Sequence, residues 1–252
     1  MTKATVLSVL LVVATGCAGA SDDATSGEED LSTVALGVDT NGATLDLAYA
    51  KSRGIGFVGR YVSFDGTHPA LTPEESHAYH DAGMPVVAIW EVGQTRAFEQ
   101  TSLTSAQKLG ASDADAARTT LAAAGGAGKA IYFTVDFDVT DAVWQKTLKD
   151  TKTGKQIAIG DLVSAYFKGV DSVIGVPRAG AYGTYTLLHH LFDEGLIHFG
   201  WQQTFGNHQN DPREKRAQIR QYDIMPDQTG WGVGGAGALD LDRAVHAQYG
   251  QF

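Results

Sequence analysis

The chain has 252 residues, of which 43% are hydrophobic and 19% are charged, and its formal net charge is −10. This length and hydrophobic content suit one globular domain with a large core. The acidic balance offers no basic surface to a phosphate backbone, so we expect no binding to nucleic acid.

The first 17 residues predict an export signal. Lys3 precedes an apolar stretch over residues 4–14, which ends in the small residues Ala14, Thr15 and Gly16 directly before Cys17, the single cysteine of the chain. A basic start, a short apolar core and small residues at the cut are typical of a signal peptide. The end of the segment resembles a bacterial lipobox, which implies lipidation of Cys17 and attachment to a membrane. The alternatives are an ordinary secretory signal, in which Cys17 is incidental, and a buried apolar helix.

An acidic tether is predicted over residues 18–33. Its segment SDDATSGEED contains five acids, no base and no large apolar residue. Such a segment cannot bury enough apolar surface to offset the entropy of ordering. We therefore expect a disordered spacer between the signal and the folded domain at residues 34–252.

Eight short runs rich in β-branched and aromatic residues predict strands, and helix-like segments separate most of them. The predicted strands are ALGVDT (35–40), GFVGRYVS (56–63), PVVAIWEV (85–92), KAIYFTVDFD (129–138), RAGAYG (178–183), HFGWQQT (198–204), AQIRQYD (217–223) and ALDLD (238–242). This alternation predicts an α/β fold with a parallel sheet, a (β/α)8 TIM-type barrel. Helices are short or missing after the sixth and seventh strands, so we expect irregularity near strands six to eight.

Two helices have clear boundary signals. Thr72 and Pro73 are typical of a helix start, with Glu75 placed to complete a capping box, and Gly83 marks the end of this helix. A closing helix is predicted over residues 241–248, with Asp242 as its N-cap or, if the last strand continues, on the same face as Asp240.

Acidic residues follow most of these strands. Carboxylates at strand ends are costly to bury unless they are paired or hydrogen-bonded. Because the strand ends of a parallel barrel meet at one mouth, the pattern predicts a shared active site there. An acid of this kind, taken alone, is more often a helix cap or a loop residue than a catalyst. The candidate catalytic acids are Asp39, Glu91, Asp136, Asp138 and Asp240.

Asp136 and Asp138 are two residues apart and would point to the same side of an extended strand, with Cα atoms about 6.6 Å apart. Repulsion between the two carboxylates would raise the pKa of one, which could then donate a proton to a leaving oxygen. The alternative is a helix cap at Asp138 and a structural salt bridge at Asp136.

Aromatic and amide side chains near the same strand ends favour a sugar ligand, because aromatic faces stack on pyranose rings. Core packing is the alternative for the aromatic residues. The candidate substrate-binding residues are Tyr182, Trp201, Gln202, Gln221 and Asp223.

Other chemistries find little support in the sequence. The two histidine pairs, His77 with His80 and His189 with His190, are poorly placed for a metal, and neither a nucleophile elbow nor a phosphate loop is present. We therefore expect no metal ligands and no cofactor, although clustered carboxylates leave a hard-cation site as an alternative.

Five segments, in order GVDT, YFTVDFD, GAYGTY, RQYD and GALDLD, resemble the glycoside-hydrolase-like domain known as domain of unknown function 1906. That group is similar to the family 25 glycoside hydrolases, which are lysozyme-like muramidases. The resemblance implies an irregular β/α barrel, a cell-wall glycan substrate and no cofactor. It also implies catalytic roles for Asp39, for Asp136 with Asp138, and for Asp240. The family carries a proton-donating Glu at the position of Asp138, and Glu91 is the alternative donor in this chain.

The leading hypothesis is an exported, lipid-anchored glycoside hydrolase of peptidoglycan or a related glycan. A non-catalytic glycan-binding module on a degenerate hydrolase barrel is the first alternative. A structural envelope lipoprotein with an acidic metal site is the second.

Overall fold

The computed structural model describes residues 33–40, 45–63, 69–225, 230–232 and 239–252. The predicted signal peptide with Cys17, and the predicted tether up to residue 32, lie outside the described residues. In the part of the chain that is described, no helix is long and apolar enough to cross a membrane.

Eight strands close into a barrel, which confirms the predicted fold class. The order around the barrel is β1-β10-β9-β8-β7-β4-β3-β2, and β5 and β6 form a separate hairpin. The strands are β1 (Ala35–Thr40), β2 (Ile55–Tyr61), β3 (Val86–Trp90), β4 (Ile131–Thr134), β5 (Thr147–Lys149), β6 (Gln156–Ala158), β7 (Ala179–Gly183), β8 (Phe199–Gln203), β9 (Ile219–Ile224) and β10 (Leu239–Ala244). The helices are α1 (Leu47–Ser52), α2 (Pro73–Asp81), α3 (Leu103–Ala123), α4 (Asp141–Gln145), α5 (Ile159–Ile174) and α6 (Tyr185–Asp193).

The last strand runs against the other seven. β10 pairs antiparallel with both β1 and β9, whereas every other pair in the barrel is parallel. A fully parallel sheet was therefore the wrong expectation here. β10 begins at the end of the barrel where the parallel strands finish, and Asp240 near its start pairs with Ile224 at the end of β9. The predicted closing helix is also wrong: residues 241–244 belong to β10, and residues 245–252 contain no helix.

The connection between β8 and β9 is irregular, as the sequence predicted. Residues 204–218 contain one short 3-10 turn, Gly206–His208, and no α-helix. This loop packs against the outer side of β8, where the Gln202 side chain hydrogen-bonds with the backbone of Pro212 and Glu214.

Helix α2 begins where its sequence predicts, and Thr72 Oγ1 accepts a hydrogen bond from the Glu75 backbone N–H (3.1 Å). The Glu75 carboxylate does not complete a capping box with Thr72. It pairs with the buried Arg60 instead, with Nε–Oε1 and Nη2–Oε2 distances of 2.6 and 2.9 Å. Arg60 Nη1 also donates to the carbonyl oxygen of Thr40 (3.0 Å). This network ties α2 to the end of β1, beside Asp39.

Two glycines allow α3 and α5 to cross in backbone contact. A Cβ atom added at Gly110 would lie 1.9 Å from the carbonyl oxygen of Tyr166, and one added at Gly169 would lie 2.0 Å from that of Gln107. Since backbone atoms cannot rotate away as a side chain can, a methyl group at either position would push the helices apart.

We expect Gly110→Ala to lower the free energy of unfolding by about 3 kcal/mol, because overpacking outweighs the better helix propensity of alanine. Gly56→Ala is the matched control, since its added Cβ would meet only ordinary contacts, at 3.6 Å and beyond. Chemical denaturation of both variants measures the difference. Equal stability of the two variants would contradict the close crossing.

Candidate active site

A cavity of about 220 Å³ opens at the carboxyl ends of the parallel strands, and we call it the acid cavity. Four of the five predicted catalytic acids line it: Asp39, Glu91, Asp136 and Asp240. The remaining lining residues are Tyr61, Ile89, Thr134, Tyr182, Trp201, Phe205, Gln221 and Ile224. The strand ends thus bring together acids that are up to 201 positions apart in sequence, Asp39 and Asp240 being the extremes.

The amide of Gln221 links two of these acids. Its Nε2 donates to Asp240 Oδ2 (2.6 Å) and to Asp39 Oδ2 (3.3 Å). Its Oε1 accepts a hydrogen bond from the Tyr182 hydroxyl. A neutral donor therefore holds both carboxyl groups at the mouth, on facing positions of β1 and β10.

The pKa values of both carboxyls are raised. Burial raises the pKa of Asp39 well above its usual value, and the negative charge of Asp240 adds to this effect. Burial also raises the pKa of Asp240 to about 6, with a contribution from the charge of Asp136. A carboxyl group with a pKa near 6 holds its proton part of the time near neutral pH, as a general acid must.

Asp136 and Asp138 do not share a side. β4 ends at Thr134, and two tight turns follow, in which the Phe137 N–H donates to the Val135 carbonyl oxygen (2.9 Å) and the Val139 N–H to that of Phe137 (2.8 Å). Alternation of side chains stops where the extended backbone stops. The expectation of a paired Asp136 and Asp138 on one strand face is therefore wrong.

The two aspartates face different cavities. Asp136 lines the acid cavity, where Gln94 Nε2 donates to its Oδ2 (3.1 Å) and burial raises its pKa. Asp138 lines a separate cleft of about 590 Å³, and its side chain is 57% exposed. Its Oδ1 lies 3.8 Å from His208 Nε2. Asp138 is thus turned away from the other candidate catalytic acids.

Glu91 enters the acid cavity from the residue that follows β3. Its backbone N–H donates to Ser63 Oγ (3.1 Å), which anchors the start of this loop. Its negative charge contributes to the raised pKa of Asp39, so the two carboxyls are within electrostatic reach. The other three acids of the cavity lining are aspartates, so Glu91 has the longest carboxylate side chain among the four.

Asp242 lies directly beneath this cavity, although its sequence position favoured a helix cap. It is fully buried in β10, and its Oδ1 accepts a hydrogen bond from Trp201 Nε1 (2.9 Å). Burial raises its pKa well above the usual value, and the neighbouring Asp39 raises it further. The available signal was the alternation of Asp240 and Asp242, which places both on one face of a continued strand.

The predicted substrate-binding residues separate into two groups. Tyr182, Trp201 and Gln221 line the acid cavity, although Trp201 is only 1% exposed and forms its floor. Gln202 is the next residue on β8 and points outward, donating to the Pro212 carbonyl oxygen (2.8 Å) and accepting from the Glu214 N–H (2.9 Å).

Asp223 also lies outside the cavity lining. The β9–β10 register shifts between Leu241 and Asp242, so β9 has one extra residue at Tyr222. Such a bulge reverses the side to which the following residues point. Ile224 consequently lines the cavity in place of Asp223, which is exposed.

Within the described residues, no group of three or more His, Cys, Asp or Glu side chains is arranged to hold a metal ion. The alternative of an acidic metal site therefore has no counterpart in this part of the chain.

Comparison with known proteins identifies one family. The family model described as "Rv2525c-like, glycoside hydrolase-like domain" matches residues 48–245. No curated protein matches the chain.

Several solved structures share the fold. The Tat-secreted protein Rv2525c of Mycobacterium tuberculosis, in complex with L-tartrate, is 21% identical, with a TM-score of 0.67 over 87% of this chain and 99% of that chain. The spore cortex lytic enzyme SleM of Clostridium perfringens is 15% identical, with a TM-score of 0.52 over 86% and 68%. A family 25 glycosyl hydrolase of Bacillus anthracis is 12% identical, with a TM-score of 0.50 over 86% and 94%. At these identities the likeness concerns the fold alone.

The pKa of Asp240 predicts a pH-dependent stability. Its folded value of about 6 lies above the unfolded value of about 3.9. The folded state therefore binds the extra proton between these values, and its stability falls as pH rises through this window. We expect Asp240→Asn to gain about 2 kcal/mol relative to the wild type between about pH 4 and about pH 7.5.

Thermal unfolding of both proteins across this range measures the gain. Asp81→Asn is the control, since Asp81 is exposed at the end of α2. A difference between Asp240→Asn and the wild type that does not change with pH would contradict the raised pKa.

Proposed function

The chain belongs to the Rv2525c-like glycoside hydrolase-like family, as its motifs predicted, and on this basis we propose that it is an exported hydrolase of peptidoglycan or a related β-linked glycan. Its fold is shared with a spore cortex lytic enzyme and a family 25 glycosyl hydrolase. The observation that carries the proposal is the convergence of Asp39, Glu91, Asp136 and Asp240 on one cavity.

Glu91 serves as the proton donor in this proposal. Asp138 occupies the sequence position of the family's donor, but its side chain faces the separate cleft. Glu91 lines the acid cavity and has the longer side chain. Its carboxyl proton passes to the glycosidic oxygen as the bond between the sugar carbon and that oxygen breaks. A water molecule then adds to the sugar carbon and returns a proton to the Glu91 carboxylate.

Asp136 stabilises the positive charge that develops on the sugar ring, or orients an N-acetyl group of the substrate. Its carboxylate is held by Gln94 beside the cavity. Asp39 and Asp240 bind the substrate and adjust the charge of the site through their shared contact with Gln221. Tyr61 and Tyr182 supply aromatic surface for the sugar.

A glycan-binding module without turnover is the second candidate function. The observation that favours it is the orientation of Asp138, because the position that carries the family's proton donor contributes no carboxyl group to the acid cavity. This candidate predicts oligosaccharide binding that depends on the aromatic residues of the cavity more than on its acids.

Export and membrane attachment complete the proposal. The N-terminal segment up to Cys17 has the layout of a lipoprotein signal, and residues 18–33 would act as a flexible spacer. The similar protein Rv2525c is described as Tat-secreted, which supports export of this chain without specifying its secretion pathway. The folded domain would then act on glycan outside the membrane.

We expect Glu91→Gln to lower kcat on peptidoglycan or chito-oligosaccharides by about 10²- to 10⁴-fold, the usual effect of removing a general acid. Asp136→Asn should lower it by about 10²- to 10³-fold, because stabilisation of the charge in the transition state is lost. Asp138→Asn is the matched control and keeps a rate close to that of the wild type, because Asp138 lies outside the acid cavity. Release of reducing ends measures turnover.

Two outcomes would count against these roles. A large loss of activity in Asp138→Asn would return the donor role to Asp138. Binding of oligosaccharide by the wild type, without turnover between about pH 4 and about pH 8, would favour the binding module.

We expect Cys17→Ser to move the full-length protein from the detergent-rich phase to the aqueous phase after expression in a bacterial host, because the acyl chains supply the membrane affinity. Incorporation of a labelled fatty acid into the wild type gives an independent measurement. Equal partitioning of the two proteins would indicate plain secretion.

A further inference from the structure

A fifth acid, Asp242, lies beneath the four that line the acid cavity. Asp242 is two residues further along β10 than Asp240, and because β10 enters at the mouth it is buried deeper. Asp39, on the neighbouring strand β1, is 5% exposed and pairs with Asp240. It therefore lies diagonally across from Asp242 on the same face of the barrel wall, close enough for the two carboxyl groups to influence each other.

The hydrogen bonds of this pair require a proton between the two groups. Asp242 Oδ1 accepts from Trp201 Nε1, and its Oδ2 is buried with no donor N–H or O–H from another described residue. Two carboxylates this close and away from water repel each other, so one of them keeps a proton. The proton that satisfies Asp242 Oδ2 is its own, donated to Asp39.

The environment assigns the remaining negative charge to Asp39. Asp39 faces the cavity and also accepts from Gln221 Nε2 (3.3 Å). Asp242 lies deeper and is fully buried, with the indole N–H of Trp201 as its donor. Each carboxyl thus has one neutral donor, and the more solvated Asp39 is the better place for the charge.

We propose that Asp242 stays protonated and acts as a positioning residue, donating a hydrogen bond that keeps Asp39 ionised and turned toward the acid cavity. This assignment deepens the proposed function, which uses Asp39, but its geometry does not depend on turnover.

The directions of the pKa shifts agree with this arrangement. Burial raises the pKa of both carboxyls, and the hydrogen bond between them raises that of Asp242 while lowering that of Asp39. As pH rises, Asp39 is thus the first of the pair to lose its proton. The other titratable groups around Asp242 are Asp240 on its own strand, Tyr182 on β7 and Tyr222 on β9.

The donor to Asp242 is rigidly placed. The Trp201 ring packs edge-to-face against Tyr132, with centroids 5.5 Å apart, and against Tyr182, at 6.2 Å. Gly59 leaves room for the same ring, since an added Cβ would lie 2.6 Å from it. The chain from Trp201 through Asp242 to Asp39 therefore fixes one catalytic candidate from the barrel interior.

The test uses the full-length protein and compares two replacements at one position. Asp242→Asn can accept from Trp201 and donate to Asp39 as a protonated carboxyl does, so we expect it to unfold near the wild-type temperature at about pH 5. It should then unfold at a higher temperature than the wild type as pH rises toward about 8, because the folded wild type must keep a proton on Asp242 that its unfolded chain releases. Asp242→Leu can do neither and should be less stable than Asp242→Asn at every pH.

Infrared spectroscopy gives the second measurement. The wild type near neutral pH should show the carbonyl band of a protonated carboxyl that Asp242→Asn lacks, while the exposed control Asp223→Asn retains it. A pH-independent difference between Asp242→Asn and the wild type, or Asn and Leu variants of equal stability, would overturn the proposal. Neither result requires turnover, so failure of the hydrolase proposal would leave this test intact.

Discussion

Negative charge that is withdrawn from water needs donors, and this requirement governs the mouth of the barrel. Among the residues that the structure describes, the amides of Gln94 and Gln221 and the indole of Trp201 donate to its four aspartates, Asp39, Asp136, Asp240 and Asp242. Neutral donors offset burial less fully than a cation would, so the pKa values of Asp39, Asp240 and other acids here rise. The site thereby retains protons near neutral pH, which is the state that acid catalysis requires.

The direction of β10 decides which acid occupies which depth. Entering from the mouth, β10 places Asp240 at the cavity and Asp242 beneath it, each beside a residue of β1. A parallel last strand would have reversed that order, leaving Asp240 inside and Asp242 at the surface. The irregular end of the barrel is therefore part of the site's construction, and the close pairing of β10 with β1 brings Asp39 close to both aspartates.

Much of the architecture was predictable from the sequence because the signals are local. Strand runs, the cap at Thr72 and the stop at Gly83 each depend on neighbouring residues, and all appear in the fold. The misjudged points lacked such signals. The direction in which Asp138 points follows from two tight turns over residues 135–139, which contain no glycine or proline to mark them. The exposure of Asp223 follows from a bulge set by pairing with β10, which the local sequence of β9 does not encode.

One side chain, Gln221, holds Asp39 and Asp240 together, while Tyr182 fixes its other end. Residues that share a partner are not energetically independent, since removal of one frees the partner for another. Replacements at these positions will not have additive effects. The same coupling has an evolutionary consequence. A substitution at Gln221 changes the effect of a substitution at either aspartate, so we expect these residues to co-vary among related sequences.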